Sequence, residues 1–231
     1  MVSVGFQDLA RLCGFNCVND FGFVGIRFSA RRGVTHPAVD PVVREFNILA
    51  TTERIDERRA GGELWMLLRA AGDESPVVDR MGIWGVVIAM THLEPTMAVA
   101  RVREEFLKKP DSIQALFRVI PIQRLVPTKL EEIVKATNEL SVAIGQDESF
   151  RITVEKRRTR LGSHEIIDAV AEGINRRVNL DDPDWVVLVE TMGKLTGVSV
   201  VRPANILNVQ KERVGLAAEA KKRTAFDNKP A

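Results

Sequence analysis

Apolar positions along the chain follow three rhythms: short unbroken runs, strict alternation, and repeats at three and four. Phe46 to Thr52 (FNILATT) is an unbroken run and predicts a buried strand. Ala60, Leu64, Leu67, Leu68 and Ala71 then recur at helical spacing, so a helix is expected from about Asp56 to Ala71, ended by Gly72-Asp73. Residues 76–80 read as a short strand and Gly82 to Met90 (GIWGVVIAM) as a buried one. Pro95 suits the first turn of a helix from Glu94 to Lys108, with Met97, Val102 and Phe106 inward, and Pro110 stops it. Ile113 to Arg124 reads as the next strand. The sum, βαβ(β)αβ over 46–124, is the order of a ferredoxin-like α+β unit.

A second unit follows. Thr128 and Glu131 form a capping-box pattern at the start of a helix. Its inner face is Ile133, Thr137, Leu140 and Ile144, and Gly145 ends it. Phe150, Ile152 and Val154 alternate with Arg151, Thr153 and Glu155, as in a half-buried strand. Gly162-Ser163 leads into a helix with Ile167, Val170, Ile174 and Val178 inward. Asp184 to Met192 and Thr196 to Arg202 complete two strands. Residues 1–44 show no sustained period and are treated as an N-terminal extension whose order the pattern leaves open. The divisions are thus 1–44, a first unit at 45–125, a second at 126–210, and a charged tail at 211–231, read as a loose helix or disordered.

Composition narrows the function classes. Among 231 residues, 33 Lys+Arg face 31 Asp+Glu, so net charge carries no nucleic-acid signature and only the placement of charge can. No apolar run approaches the roughly 20 residues of a membrane helix, and Met1 to Gly14 lacks the pattern of a secretory signal. The two cysteines, Cys13 and Cys17, read as ordinary thiols, and the expected setting is a soluble protein of the cytoplasm.

Catalytic motifs are not evident. No Gly-rich phosphate loop, dinucleotide fingerprint or nucleophile elbow occurs. His36, His92 and His164 fall in separate segments, and Asp181, Asp182 and Asp184 read as a solvated turn and cap. The expectation is therefore no catalytic residue, no metal, no cofactor, and a protein that is not an enzyme. The most informative stretch is Arg151 to Arg160, with five Lys/Arg against one acid. Its turn, Lys156-Arg157-Arg158-Thr159-Arg160, sits between a strand and a helix N-terminus, where free N–H groups and the helix dipole favour an anion. Ser163 and His164 stand at that helix start. A sugar-phosphate backbone is the natural partner, and a solvated charge run is the alternative. Arg176-Arg177, Lys194 and Arg202 are further cations able to join.

Several segments together resemble a known family. The strand FRITVEKRR, the Ser163-His164-Glu165-Ile166-Ile167 helix start, the turn Asn179 to Pro183, and the strands WVVLVE and GVSVV resemble a THUMP domain, the RNA-binding module of several tRNA-modifying systems. Asn179 stands where the family usually carries an acid. Upstream, FNILATT, GIWGVVIAMTHLEP and FRVIPI resemble the subfamily that acts as adaptor for tRNA cytidine acetylation. The resemblance implies a tRNA-binding adaptor that meets the acceptor stem and 3′ end and presents a D-arm cytidine to a separate tRNA cytidine acetyltransferase. An RNA-binding subunit of methyl, thio or pseudouridine chemistry is the alternative. It also implies phosphate contacts from Lys156, Arg157, Arg158 and Arg160, with Ser163 and His164 beside the RNA. Lys194, Arg202 and Asn205 are added by position alone. The expected fold class is α+β: an N-terminal ferredoxin-like βαββαβ unit followed by a THUMP α/β domain.

Overall fold

Apolar runs such as VVIAM and WVVLV need cover on both faces of a strand, and here two sheets packed face to face supply it. The structure, a computed structural model, describes residues 45–227; the expected extension at 1–44, with both cysteines and His36, lies outside the described residues. The first sheet takes β1 (Ile48–Thr52), β2 (Val77–Arg80), β3 (Val86–Met90) and β4 (Leu116–Pro121), with α1 (Glu57–Ala70) and α2 (Pro95–Lys108) between them. The chain then runs through β5 (Arg124–Pro127), α3 (Leu130–Ser141), β6 (Ser149–Arg157), α4 (Ser163–Glu172), β7 (Arg177–Val178), β8 (Trp185–Met192) and β9 (Leu195–Val201). It closes with β10 (Leu207–Asn208) and α5 (Val209–Asp227). Strand orders are β10-β4-β1-β3-β2 and β5-β9-β8-β6-β7, giving a mixed α/β protein with two sheets and five α-helices among the described residues. In the second sheet β6 runs parallel to β7 and β8, while β9 runs antiparallel to β8 and β5.

The period of two along each strand sorts side chains between cores. Ile48, Ala50, Val87, Ala89 and Val119 face α1 and α2, whose Leu64, Leu68, Val102 and Phe106 close that core. Val187, Val189, Val198 and Val200 face Ile133 of α3 and Ile166 and Val170 of α4. The opposite faces meet: Leu49, Val86, Ile88 and Ile120 pack with Val186, Leu188, Met192 and Val201. The layers are helix, sheet, sheet, helix.

Buried carboxylates hold the first unit together. Glu63 of α1 accepts the N–H groups of Gln114, Ala115 and Leu116 at 2.9–3.1 Å, fastening the helix to the start of β4. Asp73 accepts from Ser75 N–H and His92 N–H, both at 3.0 Å, and from the Thr91 hydroxyl, pinning the segment after α1 to the end of β3. Glu94 caps α2 by accepting Met97 N–H at 2.7 Å, with Pro95 at its first turn.

Several expectations are corrected by tertiary context. The strand expected over Ile113 to Arg124 is two strands in different sheets. Around Ile122 and Gln123 the chain crosses over; Gln123 N–H donates to Val198 O at 3.1 Å, and Ser199 Oγ donates to Pro121 O at 2.6 Å. The capping box does not form: α3 starts after Lys129 with no side-chain cap, and Thr128 Oγ1 instead lies 2.9 Å from Thr196 Oγ1. That helix ends at Ser141 rather than at Gly145. Met97, expected inward, is exposed, and in α4 Ile166 rather than Ile167 is fully buried. Val178 lies on the edge strand β7 and is exposed. Residues 207–208, placed by sequence in the second unit, return to the first sheet, where Leu207 pairs with Val119. The tail continues as α5, and Glu212 meets Arg103 of α2 at 2.8 Å.

Candidate nucleic-acid interface

Parallel pairing of β6 with β8, from Phe150↔Trp185 to Arg157↔Met192, brings the ends of both strands to one edge of the sheet. Beyond Arg157 the chain turns sharply, with Arg158 in the left-handed region at φ 55. Lys156 Nζ donates to Leu161 O at 2.8 Å, and Leu161 N–H donates to Thr159 Oγ1 at 3.2 Å, which shapes the turn. Gly162 is the N-cap residue of α4, and its N–H donates to Glu165 Oε2 at 3.0 Å. The N–H groups of the first helical turn have no partner earlier in the helix, so this end suits an anion, though the Glu165 carboxylate shares it.

The β8–β9 hairpin closes against the same turn. Gly193, at φ 71, donates its N–H to Arg157 O at 2.9 Å, and Thr128 N–H donates to Lys194 O at 2.9 Å. Lys156, Arg158, Arg160, Ser163, His164 and Lys194 therefore stand at one end of the second sheet. All are exposed except Ser163, which is half-buried. Lys129, exposed and one residue past Thr128, joins them. It was missed because sequence reading saw only a helix cap at Thr128; the contact that recruits it comes from a hairpin far along the chain.

Arg157 points the other way. Its Nη1 lies 2.6 Å from Glu190 Oε2, and Glu190 is 1% exposed. Burial pushes the Glu190 carboxyl above the usual carboxylate range, against the pull of the Arg157 guanidinium. Nearby, Arg118 of β4 approaches Glu155 of β6 at 3.9 Å, so the charges bridge the two sheets.

Arg202 and Asn205 lie at the opposite end of β9, about 25 Å from Lys194 at ~3.3 Å per residue. Arg202 donates to Glu148 Oε1 at 2.6 Å and stacks 4.1 Å above the Trp185 ring. The Trp185 indole N–H donates to Glu148 Oε2 at 2.6 Å. Hydrogen bonds from Gly145 N–H, Trp185 and Arg202 hold the Glu148 carboxyl below its ordinary value. Asn205 donates its N–H to Arg202 O at 2.9 Å within the turn Pro203–Asn205. Arg176 bonds Ile144 O at 3.1 Å, and Arg177 pairs with Ser149 at the start of β6, so both stand away from the basic turn.

The acidic turn is structural in its contacts. Asn179 Oδ1 accepts from Asp181 and Asp182 N–H at 3.2 Å, and Asp184 accepts from Ser149 N–H and Oγ at 2.7 Å. Among the described residues no group of His, Cys, Asp and Glu is arranged to hold a metal ion, and no helix is long and apolar enough to cross a membrane.

No curated protein matches the sequence. Solved structures that this chain resembles include TrmN from Thermus thermophilus, 18% identical over 69% of this chain and 47% of that one, with a TM-score of 0.45. A 4-thiouridine synthetase in complex with RNA and ATP is 15% identical over 71% of this chain and 42% of that one, with a TM-score of 0.46. A predicted N6-adenine-specific DNA methylase from Listeria monocytogenes is 15% identical over 67% of this chain and 40% of that one, with a TM-score of 0.44. The chain spans less than half the length of each of these three. The expectation of a protein that is not an enzyme is withdrawn, because the structures that the chain resembles are named as a synthetase and a methylase. The THUMP domain family model matches residues 127–201, from the end of β5 to the end of β9, so a THUMP domain is present in this chain.

Proposed function

We propose that this protein binds RNA as part of tRNA modification, holding phosphates at the turn between β6 and α4. One observation carries the reading. Lys156, Arg158, Arg160 and Lys194, from a turn and a hairpin joined by the Gly193–Arg157 hydrogen bond, stand exposed around the N-terminus of α4 within a THUMP domain. Cations and oriented N–H groups neutralise phosphate without reading base sequence, which suits recognition of A-form RNA by its shape. Ser163 and His164 add side-chain donors at the helix start.

The test is charge reversal at Arg158 and Arg160 together, sparing the buried pair of Arg157. Affinity for tRNA is expected to fall at least tenfold at moderate salt, with the thermal midpoint unchanged. Unaltered affinity would overturn the reading.

Within it, the upstream resemblance supports a narrower form, in which the tRNA is presented to a cytidine acetyltransferase in the cytoplasm. Nucleoside analysis of tRNA from cells lacking the protein tests this. Loss of 4-acetylcytidine alone is the expected result; loss of a methylated, thiolated or pseudouridine nucleoside moves the assignment to that chemistry. We read residues 45–125 and 126–210 as the two working units, with β10 of the second joined to the sheet of the first. The βαββαβ order of the first, with neighbouring strands β4-β1-β3-β2, supports a ferredoxin-like assignment.

A further inference from the structure

The helix layer of the second unit carries a charge opposite to that of the basic turn. Both helices start at the basic end: α3 follows Thr128, which bonds Lys194 O, and α4 follows the turn itself. Toward their far ends the Asn138 amide packs on Gly173, where an added Cβ would collide with it. Between the helices runs an open groove of about 630 Å3, with Leu130, Val134 and Ala169 as its apolar lining and Glu131, Glu139 and Glu172 as its acids. Over the two helices Glu131, Glu132, Glu139, Glu165, Asp168 and Glu172 are all exposed, against one lysine, Lys135.

Folding does not account for this pattern. Glu165 caps α4 by accepting Gly162 N–H. No ion pair among the described residues engages Glu131, Glu132, Glu139, Asp168 or Glu172. Glu139 and Glu172 stand in the last turns of their helices, and neither last turn holds a cation. The negative end of a helix dipole disfavours a carboxylate and favours a cation, so these acids lie where helix stability alone would place the other sign.

The groove selects its occupant by charge. A phosphate backbone is repelled along the whole acidic layer, so RNA held at the basic turn does not continue over α3 and α4. A protein segment with apolar residues along one stripe and Lys or Arg on its flanks meets both the lining and the rim. Asn138, at the groove wall, keeps a buried Oδ1 with no hydrogen-bond partner among the described residues, an acceptor left to an incoming N–H.

We infer that the α3–α4 groove docks a basic, apolar-faced helix of the acetyltransferase to which the tRNA is presented. The inference rests on that narrower reading of the function and adds the surface at which the two proteins meet. The groove opens at Leu130, next to Lys129 and the basic end, so the docked helix lies beside the bound RNA and does not compete with it.

The experiment mixes the full chain with the tRNA cytidine acetyltransferase, follows their association by sedimentation velocity, and measures tRNA affinity in parallel. Wild type is expected to associate, more weakly as salt rises. Glu139→Lys/Glu172→Lys is expected to lose about tenfold in that association, with tRNA affinity not reduced and the thermal midpoint unchanged or raised, since a cation suits both helix ends. Glu139→Gln/Glu172→Gln loses less. Arg158→Glu/Arg160→Glu, by contrast, loses tRNA and keeps the enzyme. Equal association of wild type and Glu139→Lys/Glu172→Lys overturns the groove and leaves the acetyltransferase reading in place. Failure of wild type to associate overturns both. Self-association of wild type that the lysine variant loses assigns the groove to a second copy and overturns the inference as well.

Discussion

Arg157 and Arg158 are chain neighbours with opposite surroundings, and composition treats them as equals. The alternation of β6 turns Arg157 toward the inter-sheet core, where it meets Glu190, while the left-handed residue after it carries Arg158 into solvent. Removing one partner of such a pair strands the other. Arg157→Met is expected to cost about 3 kcal/mol of folding stability, measured by urea denaturation. The raised Glu190 value fixes the pH sign. A carboxyl whose folded value exceeds its unfolded one is best accommodated below the ordinary carboxylate range, and that advantage is lost as pH rises through the folded value. The Arg157→Met deficit should therefore be larger at neutral than at acid pH. Asp73 shows the reverse sign. Burial pushes its carboxyl up, but hydrogen bonds from Thr91, Ser75 and His92 outweigh it, and the net value is lowered. Its contribution is present above the ordinary carboxylate range and fades as pH falls through the lowered value. Asp73→Asn is expected to cost about 2 kcal/mol at neutral pH and to flatten the acid limb of the stability profile.

At the scale of elements, the strands and helices follow their own periodicity, while their ends and caps follow contacts from elsewhere. The helix stripe Ala60, Leu64, Leu68 is buried as its spacing demands. The Thr128 cap fails because its hydroxyl has a nearer partner in Thr196, a strand brought in by sheet closure. Gly85 shows the same dependence: it reads as one residue of an apolar run, yet its φ of 72 and its approach to β1 fix the whole β2–β3 loop. An added Cβ would lie 2.8 Å from Thr52 O, a backbone atom that cannot swing away. Gly85→Ala is expected to destabilise by about 2 kcal/mol, read as a lowered thermal midpoint, and to displace the Trp84 loop.

For the molecule as a whole, one inter-sheet core ties the two units together. Leu188 of β8 lies in that core with Leu49 and Ile88 of the first sheet. Leu188→Ala is expected to cost about 3 kcal/mol and to lower both units in a single transition. Trp65 packs on the first core and Trp185 on the second, so variants that keep one or the other as the single tryptophan report each unit separately. Coincident unfolding curves are the expected result; two separated transitions would show units that fold independently. Binding of RNA at the basic end should weaken steeply with salt, each neutralised phosphate adding a slope of roughly −0.7 to −0.9 in log affinity against log salt. Arg158→Glu/Arg160→Glu should flatten that slope.

Local pattern alone determined the kind and order of the main elements over 46–202, though not the division of 113–124 into β4 and β5 nor the edge strand β7, because burial of alternate or every-third-and-fourth side chains is written directly into residue order. It also located the basic turn before α4, since charge density within ten residues needs no folding to be seen. Tertiary structure decided which cations point outward and that Arg202 stands at the far end of the sheet. It also decided that residues 207–208 rejoin the first sheet, and that Thr128 meets Lys194. These are consequences of parallel pairing, hairpin closure and sheet-on-sheet packing, which join residues tens of positions apart and leave no trace in the local rhythm of either partner.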